Sequence, residues 1–424
     1  MSLVENPSRL VIFLSCAFLE TFIRAWIGTL DMEKTKLGNK MNVIFHENPA
    51  TEFTTLALNV KVGSDEETAH HGISHFTEHM MFEGTRKRTP FEIVNAIESV
   101  GGYINASTSE INTVYFASVP IGNEKILFDV IHDLVFDPVF KNESIIKERS
   151  IIMREYENSI DVPEGWLWLK TYESMLGKPS VIGSKRAIAG MNRAAILDFY
   201  NAWYVPNNMS VIITGRQPFF EEIDRCFSKH VAGKIPRRQK LVSTFPSRKM
   251  VSQQMGKDAV YVMHSVPVPG LDSDDSYVLA LIRSILDRPM SGRLNVATRI
   301  RKGLVYGINC SNYSSREYGI FNVSYSTSNE NLKECQNIVL REIKKAGEID
   351  DVELRNSKNH IKGTFMRAKE RMNALIEVLA FWDTIGDVSL FDKYVPRIMR
   401  INKAQVAKVM QKYLSGDVFT AIST

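Results

Sequence analysis

One order of elements runs through this chain twice, and few folds accommodate that. In the first half, alternation predicts strands at residues 39–46 and 56–62, and apolar periodicity predicts a helix at 72–83. Thr89-Pro90 with Glu92 opens a second helix, which Gly101-Gly102 closes. A β-rich run at 103–119 follows, then helices at 124–135 and 143–160 and a closing strand at 211–214. The second half repeats the order with a strand at 259–263, a helix at 276–286, a β-rich block at 304–327 and helices at 332–346 and 351–370. This predicts an α+β fold of two homologous domains, each a mostly antiparallel sheet flanked by helices. The basic, proline-containing run GKIPRRQKLVSTFPSRKM has no clear periodicity and reads as a linker. The expected division is an extension at 1–31, a first domain at 32–235, a linker at 236–250 and a second domain at 251–424.

The chain has 424 residues, 44% of them hydrophobic, which is ample apolar material for two cores. Its net charge of +4 is dispersed, so no nucleic-acid partner is expected. Cys16, Cys226, Cys310 and Cys335 form no CxxC pair, which argues against a cysteine-based zinc site. Residues 10–19 are almost wholly apolar, but Glu20 and Arg24 break the run well short of the ~20 residues a membrane span needs. Glu5 and the lack of an A-x-A site speak against a signal peptide, and the segment is not Arg-rich and acid-poor as a mitochondrial presequence is. The expectation is a cytoplasmic protein with weak membrane contact through residues 10–30, the alternative being membrane association or export.

Chemistry concentrates in the first half. In Gly72-Ile-Ser-His75-Phe-Thr-Glu78-His79 the two histidines are four residues apart, so on a helix they face one way and can share a Zn²⁺ ion. Glu78 is placed to take a proton from a metal-bound water, in the inverted zincin pattern HxxEH. A third protein ligand is needed. The helix at 143–160 offers Glu148 and Glu155 on one face, two turns apart. Glu155 is assigned as ligand and Glu148 as the carboxylate that orients the site. Plainer readings stand beside these. A bare HxxEH arises by chance, His71 and His75 share the same four-residue spacing, and two glutamates on a helix are most often a solvated face.

The wider pattern resembles the pitrilysin/insulinase superfamily, in the branch that includes mitochondrial processing peptidase and its bacterial relatives. Glu155 follows His79 by 76 residues (155 − 79), the family's spacing. Met80-Met-Phe82-Glu-Gly84-Thr85, Gly101-Gly102-Tyr-Ile-Asn105-Ala106-Ser107-Thr108, Glu148-Arg149 through Arg154-Glu155 and Tyr204-Val-Pro206-Asn207-Asn208-Met209 resemble its segments in order. Arg299-Ile-Arg-Lys-Gly303-Leu304-Val-Tyr306 resembles its Arg/Tyr element. The chain departs from the family where Leu286-Asp-Arg-Pro289-Met-Ser-Gly-Arg-Leu294 replaces a Gly-rich loop. The resemblance implies a zinc endopeptidase for short or unfolded peptides held in a closing chamber. Asn105, Ala106 and Ser107 would offer backbone groups to an extended peptide, and Arg299 and Tyr306 would donate to the oxyanion. Glu157, Asp161 and Glu164 either favour a basic residue near the cut or simply face solvent. Longer relatives complete each zinc site from another domain of this type, so a homodimer with a shared active site is expected. An inactive assembly subunit of the same superfamily is the alternative function.

Overall fold

The computed structural model describes residues 32–368 and 372–424. Residues 1–31, and the membrane contact expected of them, lie outside the described residues. Among the described residues no helix is long and apolar enough to cross a membrane.

The first sheet holds β1 (Met32–Lys36), β2 (Asn42–Glu47), β3 (Phe53–Val60), β4 (Tyr103–Thr108), β5 (Thr113–Pro120) and β6 (Met209–Gly215) in the order β1-β2-β6-β3-β5-β4. The second holds β7 (Met250–Gln253), β8 (Val260–Pro269), β9 (Ile308–Ser314), β10 (Tyr318–Thr327) and β11 (Phe419–Ser423) in the order β7-β11-β8-β10-β9. With β1 set aside the two topologies are the same. Each has one parallel pair, β2 with β6 and β7 with β11, and is otherwise antiparallel. Strands β5 and β6 are buried along almost their whole length because both faces of the sheet are covered.

In the first half the helices that matter are α1 (Ile73–Met81), α2 (Pro90–Glu98), α3 (Glu124–Phe136), α4 (Asn142–Asp161) and α5 (Pro163–Leu176). Thr89 and Glu92 form the reciprocal cap that starts α2. Their counterparts in the second half include α6 (Asp275–Leu286), α7 (Leu332–Lys344), α8 (Asp351–Ala368) and α9 (Met372–Ile385).

Helices α5 and α9 stand outside the periodic pattern read from the sequence, because each is covered on more than one side. Helix α5 crosses to the second sheet, where Trp166, Leu167, Tyr172 and Met175 pack with Met263, Tyr318 and Phe419. Helix α9 makes the reverse crossing and covers β3, β5 and β6 of the first sheet. Buried polar groups pin it there. Asn59 Nδ2 donates to the Ala380 carbonyl (3.1 Å) and Thr384 Oγ1 (3.0 Å). Ser210 Oγ donates to Asp383 (2.6 Å), which also pairs with Lys61 (2.8 Å). The two halves therefore exchange one helix each.

Residues 231–249 form no helix or strand, and β7 begins at Met250, inside the run expected to be linker. Arg238 ties this segment down through an ion pair with Glu66 and a hydrogen bond to Asn208, both 2.9 Å.

Candidate metal centre and active site

Helix α1 begins where the chain turns through Gly72, whose φ of 91° is left-handed; a Cβ there would stand 2.7 Å from the Ile182 carbonyl. The Glu67 carboxylate accepts from the backbone N–H of Gly72 (2.7 Å) and of Ser74 (2.9 Å), so it satisfies donors that the helix start leaves unpaired. The helix is buried between α4 and β4.

The four-residue spacing brings the rings of His75 and His79 to 4.7 Å between centroids, inclined at 71°. Alongside, α4 sets Glu155 Oε2 3.9 Å from His75 Nε2 and 3.6 Å from His79 Nε2. One ligand atom from each of the three lies within 4.8 Å of the others. Donors ~2.0–2.1 Å from a tetrahedral zinc ion stand roughly 3.3–3.4 Å apart, so small side-chain movements suffice to close the cage. The donor set suits zinc, and Glu155 Oε2 is buried without a hydrogen-bond partner, as an atom reserved for a cation would be. Two turns back on α4, Glu148 Oε2 lies 2.8 Å from His79 Nδ1. With the proton on Nδ1, the Nε2 lone pair of His79 faces the other two donors.

Glu78 sits beside this group and accepts a short hydrogen bond from the Thr108 hydroxyl at the end of β4. Burial raises the Glu78 carboxyl, while His79 and Thr108 pull the other way. Burial likewise raises Glu155. Burial works against protonation of His79, but Glu148, Glu155 and Glu78 outweigh it and push the imidazole up to about 8. Burial, then His79, holds His75 well below the usual imidazole range. Three carboxylates and two imidazoles are thus crowded into one buried seam. His71 stays outside the three-residue group.

The remaining sequence candidates fall in two places. Asn105, Ala106 and Ser107 lie on β4, the last strand of its sheet, whose outer edge has no partner strand among the described residues. Arg299 and Tyr306 lie in the second half. Tyr306 is 87% exposed, with the Arg299 guanidinium 5.4 Å from its ring centroid. Arg299 lines a cavity of about 280 Å³ with Asp287, Pro289, Asn295 and Ile308. Among the described residues, the hydrogen bonds and ion pairs of His75, Glu78, His79 and Glu155 all come from the first half. Glu157 is paired with Lys185 at 2.9 Å. Two contributors escaped the sequence reading. Thr108 could have been found from strand alternation, since it shares a face with Ala106 and Ile104. Glu67 has no signal beyond an acidic residue ahead of a helix start.

The family model for insulinase, peptidase family M16, matches residues 42–176, and the M16 inactive-domain model matches residues 190–361. The chain belongs to peptidase family M16. A relative in Rickettsia bellii named as an uncharacterised zinc protease is 27% identical over 409 residues, covering 92% of this chain and 96% of the relative. A probable mitochondrial-processing peptidase subunit beta of Arabidopsis thaliana is 22% identical over 441 residues, covering 97% of this chain and 82% of the relative. The crystal structure of a protease from Helicobacter pylori superposes with a TM-score of 0.86 at 20% identity, covering 94% of this chain and all of that one. The M16 match and the zinc-protease relatives support a metallopeptidase function.

Proposed function

We propose that this M16 chain is a zinc-dependent endopeptidase for short or unfolded peptides, with His75, His79 and Glu155 as metal ligands and Glu78 as general base. The observation that carries it is the meeting of two imidazoles with the buried, otherwise unpartnered Glu155 oxygen, beside a carboxylate held by Thr108. Zinc bound there supplies an acidified water and a polarised scissile carbonyl. Glu78 takes the water's proton and delivers it to the leaving amine. Its burial suits the task, because a carboxyl raised from its ordinary range holds a proton more readily. Glu148 keeps His79 in the ligating tautomer. An extended peptide adds to the free edge of β4 along Asn105, Ala106 and Ser107, which reads backbone and tolerates many side chains.

Arg299 and Tyr306 act as oxyanion donors in this reading, supplied by the partner of a two-fold homodimer with two shared sites. The exposure of Tyr306 leaves it available to a second chain. The inactive-domain match covers residues 190–361, beyond the HxxEH helix. The deciding experiment is cleavage of a mixed peptide library by protein of measured zinc content, with and without chelator. Chelator-sensitive cleavage of unstructured peptides, with folded proteins surviving, is expected. Zinc-loaded dimers that leave every peptide intact would favour an assembly subunit instead. Sharing of the site is tested by mixing Glu78→Gln and Tyr306→Phe chains. Activity should return in mixed dimers, and no recovery despite proven subunit exchange would end that part of the proposal.

A further inference from the structure

Strand β4 has two faces, and only one belongs to the metal side. Thr108, which holds Glu78, shares its face with Ala106 and Ile104. Alternation turns Tyr103, Asn105 and Ser107 to the other face. Asn105 Nδ2 donates to the Tyr103 hydroxyl at 2.8 Å, in keeping with that alternation. The second half closes this side. On α9, Ala380, Asp383 and Thr384 meet β3 and β6 through Asn59 and Ser210. Glu377 stands three residues before Ala380 and seven before Thr384, and so on the same helix face. Helix α9 thereby runs from β6 across the sheet towards the edge strand, where the Glu377 carboxylate accepts a hydrogen bond from Ser107.

Among the described residues this carboxylate forms no ion pair. Burial is the chief influence on it, Glu78 adds repulsion, only the Ser107 hydroxyl works the other way, and the carboxyl is pushed up to about 7. It is not sealed in, however: Glu377, Asn105 and Ser107 are all half-buried and Tyr103 is 48% exposed. A peptide paired with β4 would alternate its side chains between the two faces. Those pointing away from the metal would come down beside Ser107 and Glu377.

We propose that Glu377 is a specificity-determining residue, lent by the second half, that receives a lysine or arginine side chain of the bound peptide on the face of β4 opposite the metal. A cation there pairs with a half-buried carboxylate that has no ion pair among the described residues. Ser107 adjoins Thr108, which holds Glu78. At ~3.3 Å per residue the favoured basic residue therefore lies within about two positions of the scissile bond.

This inference rests on the peptidase reading above, and its test separates the two. Unstructured peptides with one cleavable bond would carry Lys, Arg, Gln or Glu in turn at each flanking position. Wild-type, Glu377→Gln and Glu377→Lys proteins would be compared by kcat/KM. At one fixed position wild type should prefer Lys or Arg over Gln by at least about tenfold. Glu377→Gln should bring that ratio close to one, and Glu377→Lys should invert it in favour of Glu. Melting curves and zinc content identify any variant that has failed to fold, and the conservative Gln variant then carries the result. Cleavage without such a preference overturns the proposal alone, and so does a preference unchanged in folded Glu377→Gln, which points to Glu157, Asp161 or Glu164. Zinc-loaded wild type that cleaves no peptide overturns both.

Discussion

The seam between α1 and α4 and the seam between α6 and α8 occupy corresponding places in two sheets of the same topology, yet they are filled with opposite materials. In the second half, Leu279, Ile282 and Ile285 of α6 are fully buried, and α8 adds Leu354 and Ile361. Leu354 and Ile361 are seven residues apart, the spacing that separates Glu148 from Glu155 on α4. The first half places His75, Glu78, His79, Glu148 and Glu155 in its seam. The fold tolerates either filling, because the sheets and the exchanged helices α5 and α9 hold each half together elsewhere. An apolar seam is stable by itself. A seam of close carboxylates and imidazoles is costly to bury until a cation joins it. Departures of this kind from good core design are where function is to be sought.

The comparison can be broken most directly at Glu78. Glu78→Gln removes a proton acceptor and leaves three ligands, so kcat should fall by about 10²–10⁴-fold with zinc content unchanged. Loss of the metal in this variant, measured by elemental analysis, would make Glu78 a ligand and redraw the site.

The next effect is on stability. If the ionisable seam depends on its cation, chelation should lower the melting temperature, with zinc at a hundred times its Kd worth about 2.7 kcal/mol. A variant with His75, Glu78, His79, Glu148 and Glu155 all replaced by leucine or methionine should resemble the second-half seam and melt at one temperature with or without chelator. Calorimetry that finds no zinc effect on the parent protein would show that the two seams are equally self-sufficient.

Glu148→Gln sharpens the comparison within α4. Zinc affinity should drop roughly 10–100-fold, because the amide holds the His79 tautomer less firmly. Competition with a fluorescent chelator measures it, and an unchanged affinity would return Glu148 to a structural role.

The smallest effect concerns the start of α1, where Glu67 accepts from Gly72 and Ser74; at the start of α6 the Asp275 N–H donates instead to Ser273 Oγ at 3.3 Å. Burial pushes the Glu67 carboxyl up to about 7, against the hydrogen bonds from Gly72 and Ser74. A carboxyl raised on folding is more protonated in the native chain than in the unfolded one. Its contribution to stability is therefore present at low pH and lost as pH rises through about 7. Between about pH 6 and pH 8 the metal-free protein should lose on the order of 1 kcal/mol through this group, and Glu67→Gln should lose correspondingly less. Equal pH slopes in urea titrations of the two proteins would exclude Glu67 as the source.

Local pattern was enough for much of this molecule. Helix α1, the capped start of α2, the helix bearing Glu148 and Glu155, and the repeated order of elements all depend on contacts within a few residues, which periodicity and capping chemistry record directly. The four-residue step between His75 and His79 and the seven-residue step between Glu148 and Glu155 are likewise properties of a helix and need no partner to be read. Strand β1 and the exchanged helices α5 and α9 went unread. The wrapped helices are apolar on several sides and show no clean face, and their partners lie in the other half of the chain. Tertiary structure alone decided that α9 crosses to the first sheet, that Thr108 holds Glu78 while Ser107 on the opposite face meets Glu377, and that Tyr306 stands in the open. Residues 107 and 377 are 270 apart in the chain (377 − 107), and no local preference encodes a meeting at that distance. It follows from two apolar sheets each needing a cover that its own half does not supply.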